Sequence, residues 1–449
     1  LKCVCARLGK SLIYTLETFN GKLGGGVMNK TQITSYLAVF ILTSVFLIAA
    51  QAAPPPGVPR GGVLNDLQNQ IDQEVEDRIN GDQFLQDQIQ DLLDDPAGYV
   101  VVAESGGDYT SIGAALADIN PTVDDPYVIR VMPGTYIENV VLKSHVHIHG
   151  AGREVTTLQS ADPFGDSFNL VGLTDVAISG LTIMGGNHGI LIGASEATIA
   201  DSVVTGTDQD AIIAIDGSSA RIHDNRIDSN DGRGISITDN ASAMIIGNVV
   251  TDNRLDGIFT STSAGRVTIT SNEITGNATA AGNGIQAAGP AAIHGNVVSG
   301  NGQGVVASAP GTTIAGNTVT GNDFNGIVVR RDGITVTANT ISGNGTSGIL
   351  IDNFDGGAPP SIQPTILGNR VTDNGEYGIH NNFNSSARIL HNQITENGGV
   401  AFKDIFVRKD FTVFPATPNI SFNTYDDIDG DTGTGKFNVN SAGGDAPAP

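Results

Sequence analysis

The chain has 449 residues, 23 basic against 47 acidic side chains, a formal charge of −24, two cysteines and no tryptophan. So acidic a chain repels nucleic acid and anionic membranes, which excludes both as partners. Cys3 and Cys5 stand ahead of an apolar run, so a product trimmed after that run has no disulfide to hold it.

In chain order, residues 1–27 begin at Leu1 and end in Gly24-Gly25-Gly26-Val27 before Met28, the appearance of a ribosome-binding site translated in error. The expected start is Met28. Residues 28–52 read as a secretory signal peptide, with Lys30, an apolar core from Leu37 to Ala50 and a small-x-small cleavage site at Ala50-Gln51-Ala52. The run is short for a membrane span and is followed by Pro54-Pro55-Pro56 rather than basic stop-transfer residues. The expected product is exported, to the periplasm, the cell surface or the medium. It retains 18 basic against 46 acidic residues, a formal charge of −28. At that charge electrostatic steering favours cations or neutral partners, and an anionic polymer needs a local basic patch or a bridging cation.

Residues 53–98 open with a Pro/Gly linker. From Leu64 to Leu93 apolar residues fall at Leu64, Leu67, Ile71, Val75 and Ile79, then Leu85, Ile89 and Leu92, the spacing of an amphipathic helix broken at Gly81. Glu74 and Arg78 occupy places that a strict heptad fills with apolar residues. Both a short coiled coil forming a homo-oligomer through residues 64–93 and a helical preface lying on the body fit this pattern. Beyond Tyr99-Val100-Val101-Val102, the segment Tyr109 to Ile119 places Ile112, Ala115, Leu116 and Ile119 on one helical face. A stacked repeat exposes the apolar end of its first coil, and this helix is placed to cap it.

The body, residues 99–440, is ruled by one phrase, Asn-x-(Ile/Val)-x-x-Asn followed by Gly-(Ile/Val). It recurs every 21 to 30 residues, eight times from Asn225 to Asn397. Its short β-branched pieces, punctuated by Gly, Asn and Asp, are strands rather than helices. One inward residue per strand recurs, as Ile222, Ile245 and Ile269 or Ile227, Val250 and Ile274. Parallel stacking about 4.8 Å apart turns these columns into an aliphatic core. The Asn columns are expected at tight corners, where Asn tolerates a left-handed backbone and stacked amides bond from coil to coil. Residues 441–449 form a tail.

With these coils in view, the chain resembles the right-handed parallel β-helix proteins of the pectate-lyase-like superfamily over roughly residues 99 to 440. The resemblance implies an all-β fold, a right-handed parallel β-helix of about a dozen coils, and a polysaccharide partner. Ser105-Gly106-Gly107-Asp108-Tyr109-Thr110-Ser111-Ile112 and Pro133-Gly134-Thr135-Tyr136-Ile137-Glu138 resemble the start of pectin methylesterases. The later segments with that family's catalytic Gln, two Asp and Arg have no counterpart. Asp208-Gln209-Asp210 and Asn187-His188-Gly189 resemble polygalacturonase elements in reversed order, and the Asp-Pro-His-Asp element of alginate epimerases is missing.

Candidate site residues emerge from comparing one turn position across coils. The residue before each Gly-Ile strand, or its counterpart, reads His188, Asp210, Arg233 and Asp256, then Asn283, Gln303, Asn325, Ser347 and Tyr377. Asp208, Asp231 and Arg254 add charge to the same turns. At the coil spacing Asp210 and Asp256 are expected roughly 9 to 10 Å apart, near the upper limit for an inverting glycosidase pair. Alternatively Arg233 neutralises a uronate while His188 abstracts a proton, as a lyase or epimerase requires. A surface ion ladder between coils, with no catalytic role, is the third possibility. A non-catalytic cell-surface or periplasmic binding protein also fits the regular neutral coils after Asn277.

The outward position after the strand's first residue holds Leu191, Ile213, Phe259, Val306, Val328 and Leu350, with Ser236 and Gln286 polar among them. Such a row marks a covered or binding face. The only ion suggested is calcium, at Asp426-Asp427-Ile428-Asp429-Gly430-Asp431, which lacks the spacing and final Glu of an EF-hand loop and reads as a solvated acidic turn.

Overall fold

The computed structural model describes residues 98–277, 282–352, 362–382, 385–398 and 404–407, with further strand backbone at 419–421, 424–425, 428–430 and 439–440. The signal segment, the linker, the helical preface and the side chains of the acidic tail lie outside the described residues.

Each coil contributes one strand to each of three sheets, which in their order along a coil hold 14, 14 and 13 strands. A typical coil runs from Ser219–His223 in the first sheet, through Arg226–Asp228 in the second, to Ile235–Ile237 in the third. Pairing between coils is parallel and in register, so Ile222 stacks on Ile245, Ile227 on Val250 and Ile235 on Ile258. These inward residues have no accessible surface. Their branched side chains fill the bore as three aliphatic columns, so the core is one-dimensional and each coil depends on its two neighbours. Near the amino end, helix α1 (Ile112–Asp118) begins at the Ser111 cap, whose hydroxyl accepts from the Ala114 N–H, and buries Ile112, Ala115 and Leu116.

The Asn ladders do part of what the sequence suggests. In each rung one amide oxygen accepts both the backbone N–H and the side-chain Nδ2 of the Asn one coil earlier. Asn277 donates to Asn301 Oδ1 from N at 2.9 Å and from Nδ2 at 3.1 Å. The Nδ2 group then also reaches a carbonyl in the coil before, as Asn301 does to Ile274 O at 3.0 Å. The expectation that Asn itself takes the left-handed conformation is corrected. That place belongs to the residue before each ladder Asn, for instance Asp224 at φ 57°, Gly247 at 64° and Ala338 at 53°. Asn is used for its amide, which has donor and acceptor on one short stem, and not for its backbone tolerance.

The glycine of the phrase has a related cause. A Cβ on Gly234 would stand 3.0 Å from Asn253 Nδ2, and one on Gly326 would stand 2.8 Å from Asn344 Nδ2. The amide of each coil therefore lies over the glycine of the coil before, and the two residue types recur together because they share that space.

The second ladder ends at Asp404. It occupies the glycine's register, since its carbonyl accepts from Ile379 as that of Gly378 does from Ile349. Its carboxylate takes the place of a next Asn, Oδ1 accepting Asn397 N at 3.2 Å and Nδ2 at 2.9 Å. Restoring the repeat with Asp404→Gly should therefore destabilise the last coils by about 1–3 kcal/mol through stranded donors. Asp404→Asn should cost less, and thermal unfolding of the two variants distinguishes them.

Candidate functional site

The turns between the second and third sheets stack the charged column. Asp210, Arg233 and Asp256 are brought together. Arg233 Nη1 lies 3.6 Å from Asp210 Oδ2, and its Nε lies 3.5 Å from Asp256 Oδ2. The guanidinium carbon sits 4.0 Å from the centre of the Phe259 ring, a cation–π contact made by the outward residue of the next coil. Both ion pairs are longer than a good hydrogen bond, so their attraction is mainly Coulombic.

The same carboxylates serve the backbone. Asp210 Oδ1 accepts the Arg233 N–H at 2.8 Å, and Asp256 Oδ1 accepts the Asn283 N–H at 2.9 Å and its Nδ2 at 2.7 Å. Further along, Asn325 Oδ1 accepts from Ser347 N at 3.2 Å. Asp210 and Asp256 are 8% and 9% exposed, so each is largely committed to closing its turn.

His188 is paired elsewhere. Its Nδ1 lies 2.8 Å from Asp166 Oδ1, which also accepts the His188 N–H at 3.3 Å. Asp166 is the column residue of the preceding coil, where Phe168 aligns with Ile190. The sequence ruler missed it because that coil has no Asn phrase, although stepping back one coil length from His188 reaches it. The column is thus Asp166, His188, Asp210, Arg233 and Asp256, in which carboxylates alternate with the imidazole and the guanidinium. Asp208, Asp231 and Arg254 are exposed in the same turns and belong to none of these ion pairs.

The outer row of the third sheet is open in part. Leu191, Ile213, Phe259, Gln286 and Leu350 are partly exposed, whereas Ser236, Val306 and Val328 are buried. The row is therefore closed at Ser236, Val306 and Val328, and beside the charged column it is accessible at Leu191, Ile213 and Phe259.

A second titratable cluster lies at the entrance to the first sheet. Asp175 receives His147 Nε2 at 3.0 Å and His145 Nδ1 at 3.2 Å. These hydrogen bonds, that of His147 foremost, hold its carboxyl down at about 2. A depressed carboxylate pKa contributes stability above its ordinary value, here 3.8, that is lost as pH falls through the folded value. Asp175→Asn should therefore remove acid-dependent stability between about pH 4 and pH 2, measured as melting temperature against pH.

Residues 144–324 match the family model described as the right-handed β-helix region, and residues 284–400 match that of the periplasmic copper-binding protein NosD. A pectinesterase of Aspergillus aculeatus is 38% identical over 82 residues, which span 18% of this chain and 22% of that protein. Among solved structures, the Azotobacter vinelandii mannuronan C-5 epimerase AlgE6 A-module is similar at 18% identity and a TM-score of 0.47, over 73% of this chain and 92% of that one. Pectate lyase Pel9A is similar at 15% identity and a TM-score of 0.39, over 76% and 80%. These structural likenesses are of fold. The protein is a right-handed parallel β-helix built of repeated coils. Among the described residues no group of three or more His, Cys, Asp or Glu side chains is arranged to hold a metal ion. No described helix is long and apolar enough to cross a membrane.

Proposed function

We propose that the protein is an exported solenoid that binds a polysaccharide along the outer face of the third sheet, beside the turns of residues 188–256. The observation that carries this reading is the Arg233 guanidinium held against the Phe259 ring by carboxylates from two neighbouring coils. A sugar ring has an apolar face and a hydroxyl edge. The partly exposed Leu191, Ile213 and Phe259 offer an apolar floor, and the column beside them offers fixed polar groups. The stretch similar to a pectinesterase supports a carbohydrate ligand.

Processing of the bound chain by a lyase, hydrolase or epimerase step is the second reading, favoured by His188 and Asp166. Nδ1 lies 2.8 Å from Asp166 Oδ1 and 3.1 Å from Asn187 Nδ2, which together orient the imidazole, and Nε2 is the ring nitrogen left to face a substrate as the base of a proton abstraction. An inverting pair of Asp210 and Asp256 is the less favoured form, because both carboxylates accept backbone N–H groups.

A thermal-shift screen against acidic and neutral polysaccharides, with and without calcium, tests binding. Arg233→Ala should abolish the ligand-induced shift while lowering the unliganded stability by only about 0–1 kcal/mol, since its ion pairs are long and partly solvated. An undiminished shift in that variant excludes the site. If chemistry follows binding, His188→Ala should remove product formation and leave the shift in place.

A further inference from the structure

We infer that the glycan face has a further subsite at its amino end, where Phe164 stacks on one pyranose ring of the bound chain; this deepens the polysaccharide reading above and rests on it. The outer row of the third sheet does not stop at Leu191. Leu191 is in register with Asn169 and Asn169 with Val141, while Val171 lies beside Gly193 in the parallel row two residues on. Val141 is 71% exposed and Val171 54%, so the apolar floor opens further over these two coils. Asn169, partly exposed, sets one polar group between Val141 and Leu191.

A lone exposed phenylalanine would mean little. Phe164 is 88% exposed, yet the loop that presents it, residues 160–166, is fixed by one side chain of the preceding coil. Asn139 Nδ2 lies 2.9 Å from Ser160 Oγ, 3.3 Å from the Asp162 carbonyl oxygen and 2.8 Å from that of Asp166. Its Oδ1 accepts the N–H groups of Ala161 at 3.0 Å and Asp162 at 2.7 Å. Pro163 restricts the backbone further, and the Phe164 N–H donates to Asp162 Oδ1 at 3.0 Å. The ring is thus offered to solvent on a backbone already ordered, so binding to it costs little further entropy.

The same loop is joined to the proposed site. The Asn187 N–H donates to the Gly165 carbonyl at 2.9 Å, Asp166 holds His188, and the loop leads directly into Phe168–Val171, the strand that carries Asn169 and Val171. That strand is four coils from the strand of Phe259, roughly 19 Å at about 4.8 Å per coil, so a chain lying along the sheet can rest a ring on each phenylalanine. A pyranose ring has a C–H face for Phe164 and a hydroxyl edge for Asn169. A second copy of this chain would need a broad apolar core, whereas here Asn169, Asp166 and His188 interrupt the floor.

Calorimetric titration of the full-length exported protein with two probes, cellohexaose and hexagalacturonate, tests the subsite. Phe164→Ala should lower the affinity for whichever hexamer binds by about tenfold and leave the melting temperature unchanged. The chain has no tryptophan, so Phe164→Trp supplies a lone indole whose emission should shift to the blue as the hexamer is added, with affinity kept or raised. Unchanged affinity in Phe164→Ala, or unmoved emission at saturation, overturns the subsite alone if Arg233→Ala no longer binds the hexamer, and both readings if it still does. A concentration-dependent dimer that Phe164→Ala abolishes, with glycan affinity unaltered, also overturns the subsite and assigns the ring to a second copy of the chain. Binding of neither hexamer by the unaltered protein removes the polysaccharide reading and this subsite together.

Discussion

Asn301→Ala should be among the most destabilising substitutions in the body, costing about 3–5 kcal/mol although it removes only a small amide. Asn301 has no accessible surface, and its side chain sits at the centre of five hydrogen bonds. Its Nδ2 donates to Asn322 Oδ1 at 3.1 Å, Ile274 O at 3.0 Å and Ser299 O at 3.0 Å. Its Oδ1 accepts from Asn277 N at 2.9 Å and Nδ2 at 3.1 Å. Alanine leaves donors and acceptors on both neighbouring coils in a space water does not reach, and stranded buried polar groups are costly. Urea unfolding followed by circular dichroism measures the loss. Because coils interact only with neighbours, the damage should also appear as a separate early transition. A cost below about 1 kcal/mol would show that the ladder is ornament rather than support.

Gly326→Val should cost about 3 kcal/mol or more, from overpacking rather than from backbone strain. A Cβ there meets Gly348 O at 2.7 Å, Ile341 Cγ2 at 2.7 Å and Asn344 Nδ2 at 2.8 Å, and valine adds two methyls beyond that. Nothing on that list is the free end of a flexible chain. The counterpart one coil before Gly234 is Ala211, fully buried and in register before Ile212, so this register holds a single methyl in a neighbouring coil. Gly326→Ala should consequently be milder than Gly326→Val. The same unfolding assay ranks the two, and equal losses would argue against a steric cause.

These two substitutions also show why the fold was so legible in the sequence. A parallel solenoid repeats one local environment, so each physical demand is written many times over. The aliphatic columns, the Asn rungs and the glycines beneath them all appear as periodic letters. The error at the corners had a physical origin as well. The sequence places Asn next to every tight turn, but only backbone angles reveal that Asp224 or Ala338, and not its neighbour, takes the left-handed place.

The site was less legible because it departs from the period. Comparing turns exposed His188, Asp210, Arg233 and Asp256 as charged interruptions. The comparison could not show which way turn side chains point, so neither the Asp166 partner of His188 nor the backbone duty of Asp210 was visible. The outer row illustrates the same limit. Alternation predicts that Val306 and Val328 face outward, but burial depends on what lies over them, which strand periodicity does not encode.

Hydrogen exchange of the exported protein, with and without a polysaccharide that shifts its melting temperature, tests most directly whether the ligand lies where the proposal puts it. The account predicts slowed exchange within residues 186–193, 207–215, 231–237 and 254–260, where the column and the accessible row adjoin. Protection confined to the first or second sheet, with those four segments unchanged, would contradict it.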